Sequence, residues 1–106
     1  MTKILYSPGH GAGWSSWNSG SSQEFKKWLL TYQPVIDAIE RDERLYEGHP
    51  LLEQLKREAK DKFGEEYVCT LGAGDLEIYE VTGPFRIDEY DGHENVIEGT
   101  SDYISV

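Results

Sequence analysis

The sequence is poor in cysteine, has no long apolar run and contains almost no basic residues in its last part. Its one cysteine, Cys69, excludes an intramolecular disulfide and the usual cysteine-rich zinc sites, and we expect a buried thiol in a strand at 67–70. No stretch approaches the roughly 20 apolar residues that cross a bilayer, and the first residues do not resemble a signal peptide. The sequence therefore predicts a single domain, 1–106, in a reducing, cytoplasmic setting without a membrane partner.

The shortage of basic residues is confined to the second part of the chain. Residues 1–62 contain nine Lys or Arg and nine Asp or Glu, whereas residues 63–106 contain eleven acids and one base, Arg86. The whole net charge of −10 therefore belongs to the second part. Such a field repels nucleic acid, which is not an expected partner, and attracts basic proteins or cations. The alternative is a solvated acidic face that serves only solubility.

The spacing of apolar residues changes once along the chain, from a helical to an alternating pattern. The resulting order is β-α-α-α-β-β-β-β, an α+β fold in which one antiparallel-rich sheet carries two to three helices on one face. The predicted strands are 3–7, 67–70, 76–82, 85–90 and 95–98. The predicted helices begin at Ser21 with a capping box, continue after Pro34 to about Arg41, and run from Pro50 to a cap at Gly64.

The segment from Ser7 to Ser22 concentrates glycines, tryptophans and hydroxyl side chains in a loop between a strand and a helix. Gly9, Gly11 and Gly13 allow a ligand to approach the backbone, and consecutive N–H groups suit an anion such as phosphate. The loop has neither the spacing nor the lysine of a P-loop, and its glycines do not fit the G-x-G-x-x-G pattern. The sequence therefore predicts recognition of a nucleotide-like molecule by an unusual glycine-aromatic loop.

Side chains of this loop and one distant arginine complete the predicted ligand site. Trp14 or Trp17 would stack on a base, or both indoles instead pack over the helices and seal the core. Arg86 would anchor a phosphate, or it pairs with an acid on the neighbouring strand. A second glycine stretch, 72–75, is expected near the first if the first two strands are neighbours. The predicted ligand-binding residues are Ser7, Gly9, His10, Gly11, Gly13, Trp14, Trp17, Asn18, Arg86, Asp88 and Tyr90.

Catalysis and metal binding are less favoured by the sequence. His10 and Asp75 supply the residue types of a small hydrolase, but the chain around Ser7 is not a nucleophile elbow. Acids and a histidine at 88–94 could hold a divalent cation, yet they do not match the calcium loop and a solvated hairpin turn is the simpler interpretation. We therefore predict no catalytic residue, no metal ligand and no cofactor.

Four segments carry a resemblance to other proteins: the loop at 3–17, the helix start at 49–50, the helix end at 63–65, and the sequence FRIDEYDG at 85–92. Together they resemble a group of short phage and prophage proteins of unassigned function. Small acidic phage proteins are often inhibitors of host defence, and some are oligomers that bind nucleotide-derived immune messengers. The resemblance implies a homo-oligomeric anti-defence protein, in the cytoplasm of a bacterial host, that sequesters a cyclic nucleotide or ADP-ribose derivative without cleaving it. The alternatives are an acidic nucleic-acid mimic that inhibits a host defence protein, and a small nucleotide hydrolase.

Overall fold

The computed structural model of the chain describes residues 2–9, 12–18, 23–46 and 48–98. In these ranges the first half is mainly helical and the second half is mainly extended. In chain order the elements are β1 (Thr2–Tyr6), a first 3₁₀ turn (Ser16–Asn18), α1 (Gln23–Leu30), α2 (Gln33–Glu40), α3 (Pro50–Phe63), a second 3₁₀ turn (Leu71–Asp75), β2 (Glu77–Val81), β3 (Phe85–Tyr90) and β4 (His93–Glu98).

The α+β class is confirmed, but the predicted single sheet is wrong. β1 pairs antiparallel with β2, and β3 pairs antiparallel with β4, so two separate two-stranded sheets form. Residues 67–70 are not a strand, and the predicted order with four strands after the helices is therefore wrong. The physical reason lies at Cys69, whose backbone N–H and carbonyl both bond to the side-chain amide of Asn18, at 2.9 and 3.0 Å. That amide takes the place of a neighbouring strand.

Local capping residues set the ends of α3. His49 is the N-cap, and its Nδ1 accepts a hydrogen bond from the Leu51 N–H at 3.1 Å, while Pro50 occupies the first turn. Gly64 ends the helix with a left-handed φ of 71°, as predicted. The predicted helix start at Ser21 lies outside the described residues. None of the helices in the described ranges is long and apolar enough to cross a membrane.

β1 is buried on both of its faces, and this joins the two parts of the fold. Because successive strand residues point to opposite faces, Leu5 enters the large core under the helices while Ile4 enters a second, smaller cluster. That smaller cluster contains Leu30 of α1, Val81 of β2 and Phe85 of β3. The two sheets share no strand pairing and are held together by these apolar contacts and by the loop described below.

The β3–β4 hairpin follows the sequence pattern closely. Asp91 and Gly92 both have positive φ, 52° and 80°, as a two-residue type I′ turn requires. Phe85 is buried and Ile87 packs on the smaller cluster, while Arg86 and Tyr90 are exposed. The side chains of this strand therefore alternate between a packed face and an exposed face, as expected for a strand.

Candidate functional site

The loop that follows β1 is organised around one buried carboxylate, that of Glu94 in β4. Its Oε1 accepts a hydrogen bond from the Ser7 N–H at 2.8 Å. Its Oε2 accepts from the Trp14 N–H at 2.8 Å and from the N–H and Oγ of Ser16 at 3.1 and 2.5 Å. The backbone N–H of Glu94 donates in turn to the Ser7 carbonyl at 2.8 Å. One side chain of β4 thus fixes both ends of the loop.

This arrangement is an anion cradle whose anion belongs to the protein. Four donors bond to this carboxylate, one to Oε1 and three to Oε2, and they offset the hydration lost on burial. Backbone N–H groups converge here as they do in phosphate-binding turns. The N–H groups of Ser7, Trp14 and Ser16 are therefore engaged by Glu94 rather than presented to an external phosphate.

Three side chains predicted to contact a ligand are instead buried in the scaffold. The Ser7 hydroxyl donates to the Ala12 carbonyl at 3.0 Å. Trp14 is fully buried, and its indole N–H donates to the Leu29 carbonyl at 3.1 Å, which is the core-packing alternative. Asn18 is buried, and its amide is used by the backbone contacts described above. Each of these three side chains already has a partner inside the protein.

The described glycines of the loop allow the protein to pack closely on itself. A Cβ at Gly72 would lie 2.6 Å from the carbonyl oxygen of Gly13, and a Cβ at Gly9 would lie 2.7 Å from the carboxyl group of Asp75. The second glycine stretch therefore packs directly on the first, although β1 pairs with Glu77–Val81 and not with the predicted second strand at 67–70. The remaining loop residues of the predicted site, His10 and Gly11, lie outside the described residues.

An open groove of about 420 Å³ lies where the two glycine stretches meet. Its charged side chains are the exposed carboxylates of Asp75 and Glu77. Burial, and then the Glu77 carboxylate, raise the pKa of Tyr6, which pairs with Glu77 across the β1–β2 ladder. The groove therefore suits a cationic or neutral group better than a phosphate. Its lining residues are Pro8, Gly9, Gly74, Asp75, Leu76 and Glu77.

Arg86, the predicted phosphate anchor, forms a bidentate pair with Asp88 of its own strand. The Nε–Oδ1 and Nη2–Oδ2 distances are 2.7 and 3.2 Å. The residue that faces Arg86 across the ladder is Ile97, so the acid found at the guanidinium is two positions along β3 rather than opposite it. This pair balances much of the arginine's charge locally.

Two predicted aromatic contacts remain accessible, one in the first 3₁₀ turn and one in β3, and these two elements are in contact. Trp17, in the first 3₁₀ turn, is 40% exposed, and its Cδ1 is 2.6 Å from the position that a Cβ of Gly13 would occupy. Tyr90, beside the hairpin turn, is 83% exposed and faces His93 across the ladder. Trp17 lies on the glycine loop itself, and β3, the strand of Arg86 and Tyr90, packs against the turn that carries it.

Three of the acids around the hairpin turn have partners within the protein. Glu89 accepts a hydrogen bond from the Gly92 N–H at 2.7 Å, Asp88 pairs with Arg86, and Glu94 points inward. No group of His, Cys, Asp or Glu in the described ranges is arranged to hold a metal ion. The described geometry gives the turn a structural role.

Sequence reasoning missed the role of Glu94, although a local sign was present. Alternation along β4 puts Glu94 on the same face as Val96, which packs on the smaller apolar cluster. An acid on the inward face of a strand needs donors from elsewhere in the chain. That need identifies Glu94 as a structural residue and not as part of a solvated acidic face.

Comparisons with known proteins do not assign the chain to a family. No protein-family model, curated protein or solved structure matches it. The resemblance to short phage proteins therefore stays a prediction.

Proposed function

We propose that the chain is a binding protein that uses its acidic second half to occupy a basic surface of another protein, as a mimic of nucleic acid. The observation that carries this proposal is the exposure of the acids. Of the ten acids between residues 63 and 98, seven have exposed side chains, while the one base in that range, Arg86, is paired with Asp88. The exposed acids are Glu66, Asp75, Glu77, Glu80, Glu89, Asp91 and Glu98.

The glycine loop supports the same conclusion indirectly. The N–H groups of Ser7, Trp14 and Ser16 are engaged by Glu94, and the adjoining groove is lined by carboxylates, so these described groups offer little to an anionic ligand. A basic protein surface, in contrast, gains from every exposed carboxylate that it meets, and such attraction also accelerates association. The resemblance to phage proteins supports a host defence protein as the target and the bacterial cytoplasm as the place of action.

The proposal is tested by neutralising the hairpin acids without changing their shape. In the triple variant Asp88→Asn, Glu89→Gln and Asp91→Asn, three negative charges are removed while asparagine tolerates the left-handed backbone at position 91. The immobilised protein is exposed to a bacterial lysate, and bound proteins are eluted with rising salt or with duplex DNA. We expect a basic nucleic-acid-binding protein that elutes by about 0.5 M NaCl and is displaced by DNA.

A second triple variant provides the matched control. Asp37→Asn, Glu53→Gln and Asp61→Asn remove the same number of charges from exposed positions on the helices. We expect the hairpin variant to lose most of the retained partner and the helix variant to keep it. Retention that is insensitive to salt, or that falls equally in both variants, would contradict a specific acidic surface.

A second candidate function is the sequestration of a nucleotide-derived immune signal, proposed from the sequence. It is favoured by one observation: the half-exposed indole of Trp17 lies on a loop that Glu94 holds in place. A base could stack on such a ring at low entropic cost because the loop is already ordered. Native mass spectrometry of protein from a defence-competent bacterial host tests it. A stoichiometric co-purifying nucleotide would favour this function, and protein without one would favour the acidic mimic.

A further inference from the structure

Two large apolar side chains are exposed on one short segment of the chain. Tyr67 is 76% exposed and Leu71 is 58% exposed, and the three residues between them are buried. Single exposed apolar residues are common on protein surfaces and need no explanation. Two that flank a buried stretch, next to an exposed tryptophan, form a candidate contact surface.

The exposed tryptophan is Trp17, and two contacts hold its turn next to this segment. The side chain of its neighbour Asn18 bonds to the Cys69 backbone in both directions. The Trp17 ring also packs against Gly13, whose carbonyl oxygen contacts Gly72. The first 3₁₀ turn and residues 67–72 are therefore adjacent in the structure. We call Trp17, Tyr67 and Leu71 the aromatic surface.

Acidic residues stand on both sides of residues 67–71 in the sequence, and no Lys or Arg lies between them. Glu66 precedes Tyr67, and Asp75 ends the second 3₁₀ turn that Leu71 begins; both acids are exposed. From residue 63 to residue 76 the sequence contains three acids and no Lys or Arg. An apolar centre with a charged rim is the usual composition of a protein interface, and tryptophan and tyrosine supply much of the binding energy in such centres.

We propose that the aromatic surface is the centre of the contact with the basic partner, and that it binds an arginine-bearing segment. This inference rests on the proposed function and specifies its contact point. A guanidinium group stacks on the face of an indole or phenol ring while its N–H groups bond to a carboxylate, so an arginine uses both features of this surface. A second copy of the chain is a poorer occupant because each copy carries a net charge of −10.

The inference is tested with two peptides and three variants of the full chain. The probes are an eight-residue peptide of alternating glycine and arginine and its lysine counterpart, titrated into ¹⁵N-labelled protein and followed by NMR. We expect shifts at residues 66–72 and at the Trp17 indole, and several-fold tighter binding of the arginine peptide. Tyr67→Ala should weaken that binding about five- to tenfold, as the loss of one good cation–π contact does.

The matched control is Tyr90→Ala, which removes an equally exposed tyrosine that also lies among acids, at the hairpin. We expect it to change binding by less than about twofold. Equal effects of Tyr67→Ala and Tyr90→Ala, or shifts spread over the whole acidic half, would overturn the inference. A wild-type dimer in sedimentation that Tyr67→Ala dissociates would also overturn it, because the surface would then bind a second copy.

The hairpin variant described above separates this inference from the proposed function. If neutralising the hairpin releases the basic partner while Tyr67→Ala has no effect on partner or peptide, the inference fails and the proposed function stands. If Tyr67→Ala weakens the peptide but no basic protein is retained from the lysate, the proposed function fails instead. The melting temperature of Tyr67→Ala is expected to stay close to that of the wild type, because the side chain is mostly exposed.

Discussion

Replacing Glu94 by glutamine tests whether its carboxylate holds the glycine loop in place. The substitution keeps the shape and turns one carboxylate oxygen into an NH₂ group. The amide oxygen can stay at the Oε2 position, where three donors converge, but the NH₂ then faces the Ser7 N–H. One hydrogen bond is lost, two donors oppose each other in a buried site, and the other three bonds lose their charge assistance.

The size of the effect follows from these losses. An unsatisfied buried donor costs about 1–3 kcal/mol, and a bond to a neutral acceptor is weaker than one to a charged acceptor by roughly 1 kcal/mol. A neutral amide is easier to bury than a carboxylate, which offsets part of the sum. We expect Glu94→Gln to lower the free energy of unfolding by about 2–4 kcal/mol, a large share of the roughly 5–15 kcal/mol typical of a domain.

Urea unfolding followed by circular dichroism measures this change, and Glu89→Gln is the control. Glu89 lies opposite Glu94 in the hairpin but is exposed, and its carboxylate accepts one bond, from the Gly92 N–H. We expect the control to remain within about 0.5 kcal/mol of the wild type. Amide exchange at Ser7, whose N–H loses its acceptor, should accelerate in Glu94→Gln alone, and exchange at Trp14 and Ser16 should accelerate less. Equal stability of the two variants would refute the role of the Glu94 carboxylate.

Three further predictions concern the contacts around the loop and the helices. Gly72→Ala forces a Cβ against backbone atoms of the first glycine stretch and should cost about 1–3 kcal/mol in urea unfolding, whereas Gly83→Ala, which has open space, should cost much less. Asn18→Asp puts a carboxylate oxygen against two backbone carbonyls and should lower the melting temperature by more than 10 °C, at roughly 3 kcal/mol. Burial, and then the hydrogen bond to Glu58, raise the pKa of Tyr32, so the folded state holds this proton after the unfolded chain has lost it. Stability should therefore fall as the pH rises above about 10, and a melting-temperature series should show a shallower fall in Tyr32→Phe; parallel curves would contradict this assignment.

Elements with strong local chemistry were predictable from the sequence. The bounds of α3 follow from Pro50 and Gly64, whose backbone preferences fix a helix start and a helix end. The hairpin follows from Asp91 and Gly92, which favour the positive φ of a type I′ turn. In both cases the information lies within a few residues, so no knowledge of the rest of the chain is needed.

The single sheet was not predictable in the same way, because strand pairing depends on distant residues. The segment at 67–70 has the composition of a strand, yet the Asn18 amide, 51 positions from Cys69, saturates its central backbone groups. An asparagine in a loop gives no sign of which backbone it will bond. A local pattern therefore identified an extended, buried segment but not its partner.

The glycine loop shows the same limit at the candidate site. Its composition indicates converging N–H groups and hence an anion, and this chemistry is present, but the sequence does not say whether the anion comes from outside. Glu94, about 80 residues away, supplies it. The two unusual features of the chain, a glycine-rich loop that needs an acceptor and an acid on the inward face of β4 that needs donors, satisfy each other. Because that pair is closed, recognition by the described residues falls to side chains that remain exposed, and we propose the carboxylates of the second half and the aromatic surface for this role.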